Sequence, residues 1–220
     1  KELSNRWLDN AEIALVYAMS LFNLLVFQED AAARKTTVDA LKELSNRWLG
    51  NAEIALAYAR GLVNLLARQE EVVARQTTVD ELKELSNRWF DNVVIASVYA
   101  RGLIDFSASQ EDVAARKTTV DELKELSNRW VENAEIALVY ARGLVNLLAS
   151  QEDVAAIKTT VDELKELSNR WLDNAEIARQ YAQSLVNYAT EQEESSDCRH
   201  VIGELKKLSE QWPEIPKIGV

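Results

Sequence analysis

Few residues in this chain are able to do chemistry, and their spacing limits what they can do. There is one histidine, His200, and one cysteine, Cys198, two positions apart. Two ligands do not complete a zinc site, so no metal and no cofactor is expected. A Ser-His-Asp arrangement would have to use His200, and no nucleophile motif accompanies it. No glycine-rich phosphate loop occurs either. The chain is therefore expected not to be an enzyme. Arginines and asparagines do recur. Arg60, Arg101 and Arg142 stand 41 residues apart, and Asn23, Asn64, Asp105, Asn146 and Asn187 keep the same interval. Arg60 and Asn64 are four apart, as are the later pairs, so on a helix they share a face. An amide both donates and accepts, so it can hold an extended peptide backbone. A guanidinium can fork onto a carboxylate. Arg60, Asn64, Arg101, Asp105, Arg142, Asn146 and Asn187 are thus candidates to line a groove for an acidic or extended peptide. The alternative is that each satisfies only its neighbouring repeat.

Two further series bear on that choice. Phe27, Arg68, Ser109, Ser150 and Glu191 lie four past the asparagine positions and vary most between copies. They are read either as a specificity surface or as drift at an exposed site. Arg34, Arg75 and Arg116 give way to Ile157 in the fourth copy. An arginine that exchanges with isoleucine points to a packed stem with its head at the edge, a structural role.

The elements that must position these residues follow from the same interval. The six tryptophans, Trp7, Trp48, Trp89, Trp130, Trp171 and Trp212, are each 41 residues apart. Glu-Leu-Ser-Asn-Arg-Trp stands at 2–7, 43–48, 84–89, 125–130 and 166–171, and Lys-Leu-Ser-Glu-Gln-Trp at 207–212 is a worn copy. A fixed period of this size marks a repeat architecture. With 6 Gly and 2 Pro in 220 residues, and much Ala, Leu, Glu and Val, helix is favoured throughout.

Each repeat reads as two helices. Helix A is placed at about 10–28, 51–69, 92–110, 133–151 and 174–192. Asp9 with Glu12 has capping-box spacing at the first start. On a helical wheel Ile54, Tyr58, Gly61, Leu62 and Leu65 form one apolar face, and Leu56, Ala59, Val63, Leu66 and Ala67 extend it. Only Glu53, Arg60, Asn64 and Arg68 make a polar ridge. Such a helix must be buried between neighbours. Helix B, from about Asp112 to Trp130 in the third copy, has one apolar half carrying Val113, Ala115, Val120, Leu123 and Leu126. Thr119 and Glu122 also have capping-box spacing, which would start helix B later, but Val113 and Ala115 fit the longer helix. The tryptophans are expected to plug the core between repeats. In the last A helix Arg179 replaces Leu15, Leu56, Ser97 and Leu138, and Gln180 replaces Val16, Ala57, Val98 and Val139. A polar face there is expected where the next neighbour is missing.

The turn Asp173-Asn174-Ala175-Glu176 leading into helix A, and the order of buried A and half-exposed B helices, resemble the tetratricopeptide repeat family. That family repeats at about 34 residues. The longer unit here adds about two helical turns. Gly61, Gly102 and Gly143 in helix A and Trp at the end of helix B depart from the family pattern. The resemblance implies an all-α fold, a right-handed α-solenoid of antiparallel helix pairs forming a tetratricopeptide-like superhelix, and a role in binding peptides or proteins. No peptide-clamp residue of the family is carried over.

The expected organisation is one helical-repeat domain over 1–220: a helix-B stub at 1–7, repeats at about 8–48, 49–89, 90–130, 131–171 and 172–212, and a tail at 213–220. The net charge of −11 disfavours nucleic acid as a partner. It reads as a preference for basic partners or as plain solubility. No apolar run approaches the ~20 residues of a membrane span. The sequence opens with Lys1 inside a repeated word, and no stretch of it reads as a signal peptide. One cysteine gives no argument for an oxidising compartment, and a cytoplasmic setting is expected. The expected function is a protein- or peptide-binding scaffold, the sensor part of a larger protein being one version, with end-to-end or homodimer packing a further option. The alternative is a purely structural or engineered array without a ligand.

Overall fold

Every repeat enters its first helix through an asparagine. In the computed structural model, which describes residues 10–191 and 196–213, the Oδ1 of Asn51 accepts from the backbone N–H groups of Glu53 and Ile54 at 3.1 Å each. Asn10, Asn92, Asn133 and Asn174 act in the same way. These bonds satisfy amides that have no partner inside the helix. The asparagine is therefore the cap and not the first helical residue, and the expected capping box from Asp9 is replaced by Asn10; Asp9 itself lies outside the described residues.

Ten helices occur among the described residues, and no strand. The chain forms two compact units, Lys1–Ser109 and Gln110–Val220. The first unit contains α1 (Ala11–Phe27), α2 (Ala31–Arg47), α3 (Ala52–Leu66), α4 (Val72–Arg88) and α5 (Val93–Ser107). The second contains α6 (Val113–Arg129), α7 (Ala134–Leu148), α8 (Val154–Arg170), α9 (Ala175–Glu191) and α10 (Ser196–Gln211). The A helices are α1, α3, α5, α7 and α9, and the B helices are α2, α4, α6, α8 and α10. The expected stub at 1–7 and most of the tail lie outside the described residues.

Contacts run between sequential helices. In the first unit α3 packs on α1, α2, α4 and α5. In the second α7 packs on α6, α8 and α9, and α9 also on α8 and α10. The A helices α3 and α7 thus sit in the middle of their units. Ile54, Ala55, Ala57, Tyr58, Ala59, Leu62, Leu65 and Leu66 of α3 are all buried. Helix B buries one side only, as Val120, Leu123 and Leu126 of α6 do.

The close approach of successive helices explains the glycines of helix A. A Cβ on Gly61 would lie 2.9 Å from Leu41 Cδ1 and 3.4 Å from Leu25 Cδ1. Gly61 therefore faces the preceding repeat.

The structure revises or settles four sequence expectations. The middle A helices stop at Leu66, Ser107 and Leu148, three residues early, because the next residues turn toward helix B. Helix B starts at Val113 with Asp112 as its cap. The later start at Thr119 is excluded, since that side chain is buried and its hydroxyl donates to Gln110 Oε1 at 3.0 Å. Trp48, Trp89, Trp130 and Trp171 are half-buried at the ends of the B helices, and the indole nitrogens of Trp48, Trp130 and Trp171 are shielded from water. Gln180 is 8% exposed, so its column faces inward and does not form a solvent-facing end. Val16 in the same column is 66% exposed, which places that column on the side toward the preceding repeat. Arg179 is exposed, as expected.

Candidate binding surface

The polar ridge is what remains of α3 and α7 after packing, whereas α1 also exposes Val16, Tyr17, Met19, Leu24, Val26 and Phe27. In the first unit Arg60 is exposed and Asn64 half-buried on α3, while Arg101 and Asp105 are exposed on α5. In the second, Arg142 is exposed and Asn146 half-buried on α7, and Asn187 is half-buried on α9. Since α3 packs on α5 and α7 on α9, each unit carries its own segment of the expected ladder.

Within those segments the residues are not equivalent. Arg142 Nη2 reaches Glu176 Oε1 on the next A helix at 3.6 Å. Glu176 also pairs with Arg179 of its own helix. These two cations, Arg179 first, hold the Glu176 carboxyl below the usual carboxylate range. Asn187 Oδ1 accepts from Gln183 Nε2 at 3.0 Å. Asn64 Oδ1 is shielded and accepts no hydrogen bond. Asp105 is held above the usual carboxylate range by shielding from water, against the opposing charges of Arg75 and Arg101.

The variable series is not one surface. Arg68 reaches back a whole repeat, donating to Gln28 O at 2.9 Å. Ser109 and Ser150 each fold onto their own helix end, donating to Phe106 O and Leu147 O at 2.7 Å. Phe27 is 82% exposed. The Glu191 side chain lies outside the described residues.

The arginines read as packed stems have bonded heads. Arg75 Nη1 donates to Leu66 O and Gln69 O at 3.0 and 3.1 Å, and its Nη2 to Asp105 O at 2.9 Å. Arg116 donates to Gln110 O and, at 3.4 Å, to Asn146 O. The Arg75 guanidinium thereby closes the carbonyl ends of two successive A helices, α3 and α5, where a cation also opposes the helix dipole.

One constellation has no counterpart among the expected sites. Tyr58 of α3 donates to Glu81 of α4, and Lys42 of α2 lies 3.0 Å from the same carboxylate. Tyr140, Glu163 and Lys124 repeat the set, with Lys124 at 3.1 Å. Tyr181 donates to Glu204 at 3.4 Å, with Lys165 at 3.2 Å. Burial first, and then the facing carboxylate, pushes each phenol up beyond its usual range. The signal was present in the sequence: Tyr, Glu and Lys recur here at the 41-residue interval. A small recess of about 60 Å³ opens over the first set, lined by Asn46, Glu84 and Arg88 as well. It falls far short of the about 300 Å³ that a small-molecule site needs.

Among the described residues no group of three or more His, Cys, Asp or Glu side chains is placed to hold a metal ion. Nor is any helix among them long and apolar enough to cross a membrane. Comparison with known family models, curated proteins and solved structures gives no match.

Proposed function

We propose that the chain is a helical-repeat binding module, a right-handed solenoid of antiparallel helix pairs similar in plan to tetratricopeptide arrays. It takes a protein or extended peptide along the polar ridge of its A helices. One observation supports this reading above others. In helices whose other sides are almost wholly buried, Arg60, Arg101 and Arg142 stay exposed at one recurring position. An exposed guanidinium in three successive repeats suits acidic or backbone-presenting segments, and the overall net charge of −11 argues against nucleic acid.

A selection from a peptide-display library tests the reading. The chain should enrich a family of peptides, and an R60A/R101A/R142A variant with unchanged circular dichroism should lose them. Identical selection by both proteins would remove the ridge from the argument.

A second reading, a structural array with no ligand, has its own support. Arg68 and Arg142 spend their charges between repeats. On this reading the library yields nothing above an unrelated helical protein.

A further inference from the structure

The A-helix ridge changes at the junction of α3 and α5. Glu12, Glu53, Glu135 and Glu176 stand at one column of the first helical turn, and the third copy has Val94 there. In the second unit this column does defined work, since Glu176 takes Arg142 from the preceding A helix at 3.6 Å. The same register sets Val94 of α5 opposite Arg60 of α3, each 82 residues earlier in the repeat. Gly102 confirms that these helices are in close contact, because a Cβ there would lie 3.7 Å from both Leu66 and Val63 side chains.

Arg60 is therefore a guanidinium whose carboxylate has been removed. It is exposed, and among the described residues it makes no hydrogen bond or ion pair. Val94 is 47% exposed, and Phe90, in the turn that leads into α5, is 61% exposed. The exchange has no internal gain. An acid in the first turn complements the helix dipole and pairs with the arginine, while an exposed β-branched residue does neither. Positions that break local rules without a packing return are where function is to be sought.

We propose that Arg60 and Val94 form the anchoring subsite of the first unit. A bound peptide supplies the carboxylate that Glu176 supplies to Arg142, and an apolar side chain next to it covers Val94 and Phe90. The subsite rests on the reading of the A-helix ridge as a peptide-binding surface, and it narrows the ligand to an acidic residue flanked by large apolar ones.

The test uses the full chain, isotope-labelled, and two blocked peptides, acetyl-Leu-Glu-Leu-amide and its neutral twin acetyl-Leu-Gln-Leu-amide. Side-chain resonances of Arg60 and the methyls of Val94 are followed by NMR. The acidic peptide should shift both together, and the neutral one should bind several-fold more weakly. Val94→Glu restores the internal carboxylate and follows the other copies, so it should fold normally and abolish the response; Arg60→Gln should do the same. Equal shifts with the neutral peptide, or a response that survives in Val94→Glu, overturns the subsite. If the acidic peptide moves Arg101, Arg142 or Asn146 but not Arg60 and Val94, the subsite fails and the ridge reading stands. If no ridge residue moves, the subsite fails, and the library selection decides the ridge separately.

Discussion

Tyr140 donates its hydroxyl hydrogen to Glu163, and Lys124 meets the same carboxylate at 3.1 Å. The three side chains come from α7, α8 and α6, so one carboxylate ties a helix A to the helix B on either side. Tyr140 is 5% exposed, and a buried phenol needs a partner for its hydroxyl. Tyr140→Phe removes a bond to a charged acceptor and should cost about 1–2 kcal/mol. Lys124→Met removes only a half-exposed ion pair and should cost under about 1 kcal/mol. Urea denaturation followed by circular dichroism measures both. A larger loss for Lys124→Met would mean that the ion pair, not the phenol, holds the junction.

Alkaline stability follows from the same sets. Burial, followed by the facing Glu81 or Glu163, raises Tyr58 and Tyr140 above the usual 10.0, and burial followed by Glu204 raises Tyr181. The folded state thus holds these protons at pH values where the unfolded chain releases them. The stabilisation is complete below pH 10 and is lost as pH rises beyond it. Tyrosinate absorbance from these three residues, identified by single Tyr→Phe variants, should appear only together with loss of helical signal. Ionisation with the helices intact would show the phenols to be less enclosed.

Much of this architecture is legible from the tryptophan interval and the wheel of residues 54–65. Both express a burial pattern that repeats in letters. What the letters conceal is any bond that ends on backbone. Arg75 was readable as a packed stem because Ile157 replaces it, but its acceptors are the carbonyls of Leu66, Gln69 and Asp105, which no side chain announces. Direction is concealed as well. A period states that Val16 and Gln180 are equivalent, not which of their two neighbours they face. The exposure of Val16 and burial of Gln180 settle that. The ridge was legible as a set of columns, and so was the difference 34 positions past Arg142 and Arg60, where Glu176 and Val94 stand, but the 3.6 Å bond from Arg142 to Glu176 was not.

Arg75 closes two helix ends at once, so its loss should be felt in both. Arg75→Ala leaves half-buried carbonyls without a charged donor and should lower stability by about 2–3 kcal/mol. Arg75→Lys keeps the charge but not the fork, and should recover only part of this. Arg34, with one bond of 3.2 Å to Gln28 O, should be worth less on truncation. The comparison is made by chemical denaturation of the three variants. A full rescue by lysine would show that charge at the helix ends, not geometry, is what counts.

Glycine in the middle of a helix costs about 1 kcal/mol relative to alanine, so its retention at Gly61 and Gly102 needs a reason. At Gly102 a Cβ would come within 2.7 Å of Leu82 Cδ1. Leu82 is 1% exposed and has little room to swing aside. Crowding of this kind costs about 1–3 kcal/mol. Gly102→Ala should therefore be destabilising by about 1 kcal/mol once the propensity gain is subtracted. Gly61→Ala, at 2.9 Å from Leu41 Cδ1, should be closer to neutral. Gly203 in α10 supplies the control, since a Cβ there meets nothing within 4 Å. Gly203→Ala should gain about 0.5–1 kcal/mol. The same column holds Ser184 in α9, fully buried, with its hydroxyl donating to Tyr181 O at 2.7 Å. The last A helix thus accommodates a small side chain where Gly102 cannot. If Gly102→Ala stabilises as much as Gly203→Ala in thermal unfolding, close helix approach is not what holds glycine at this column.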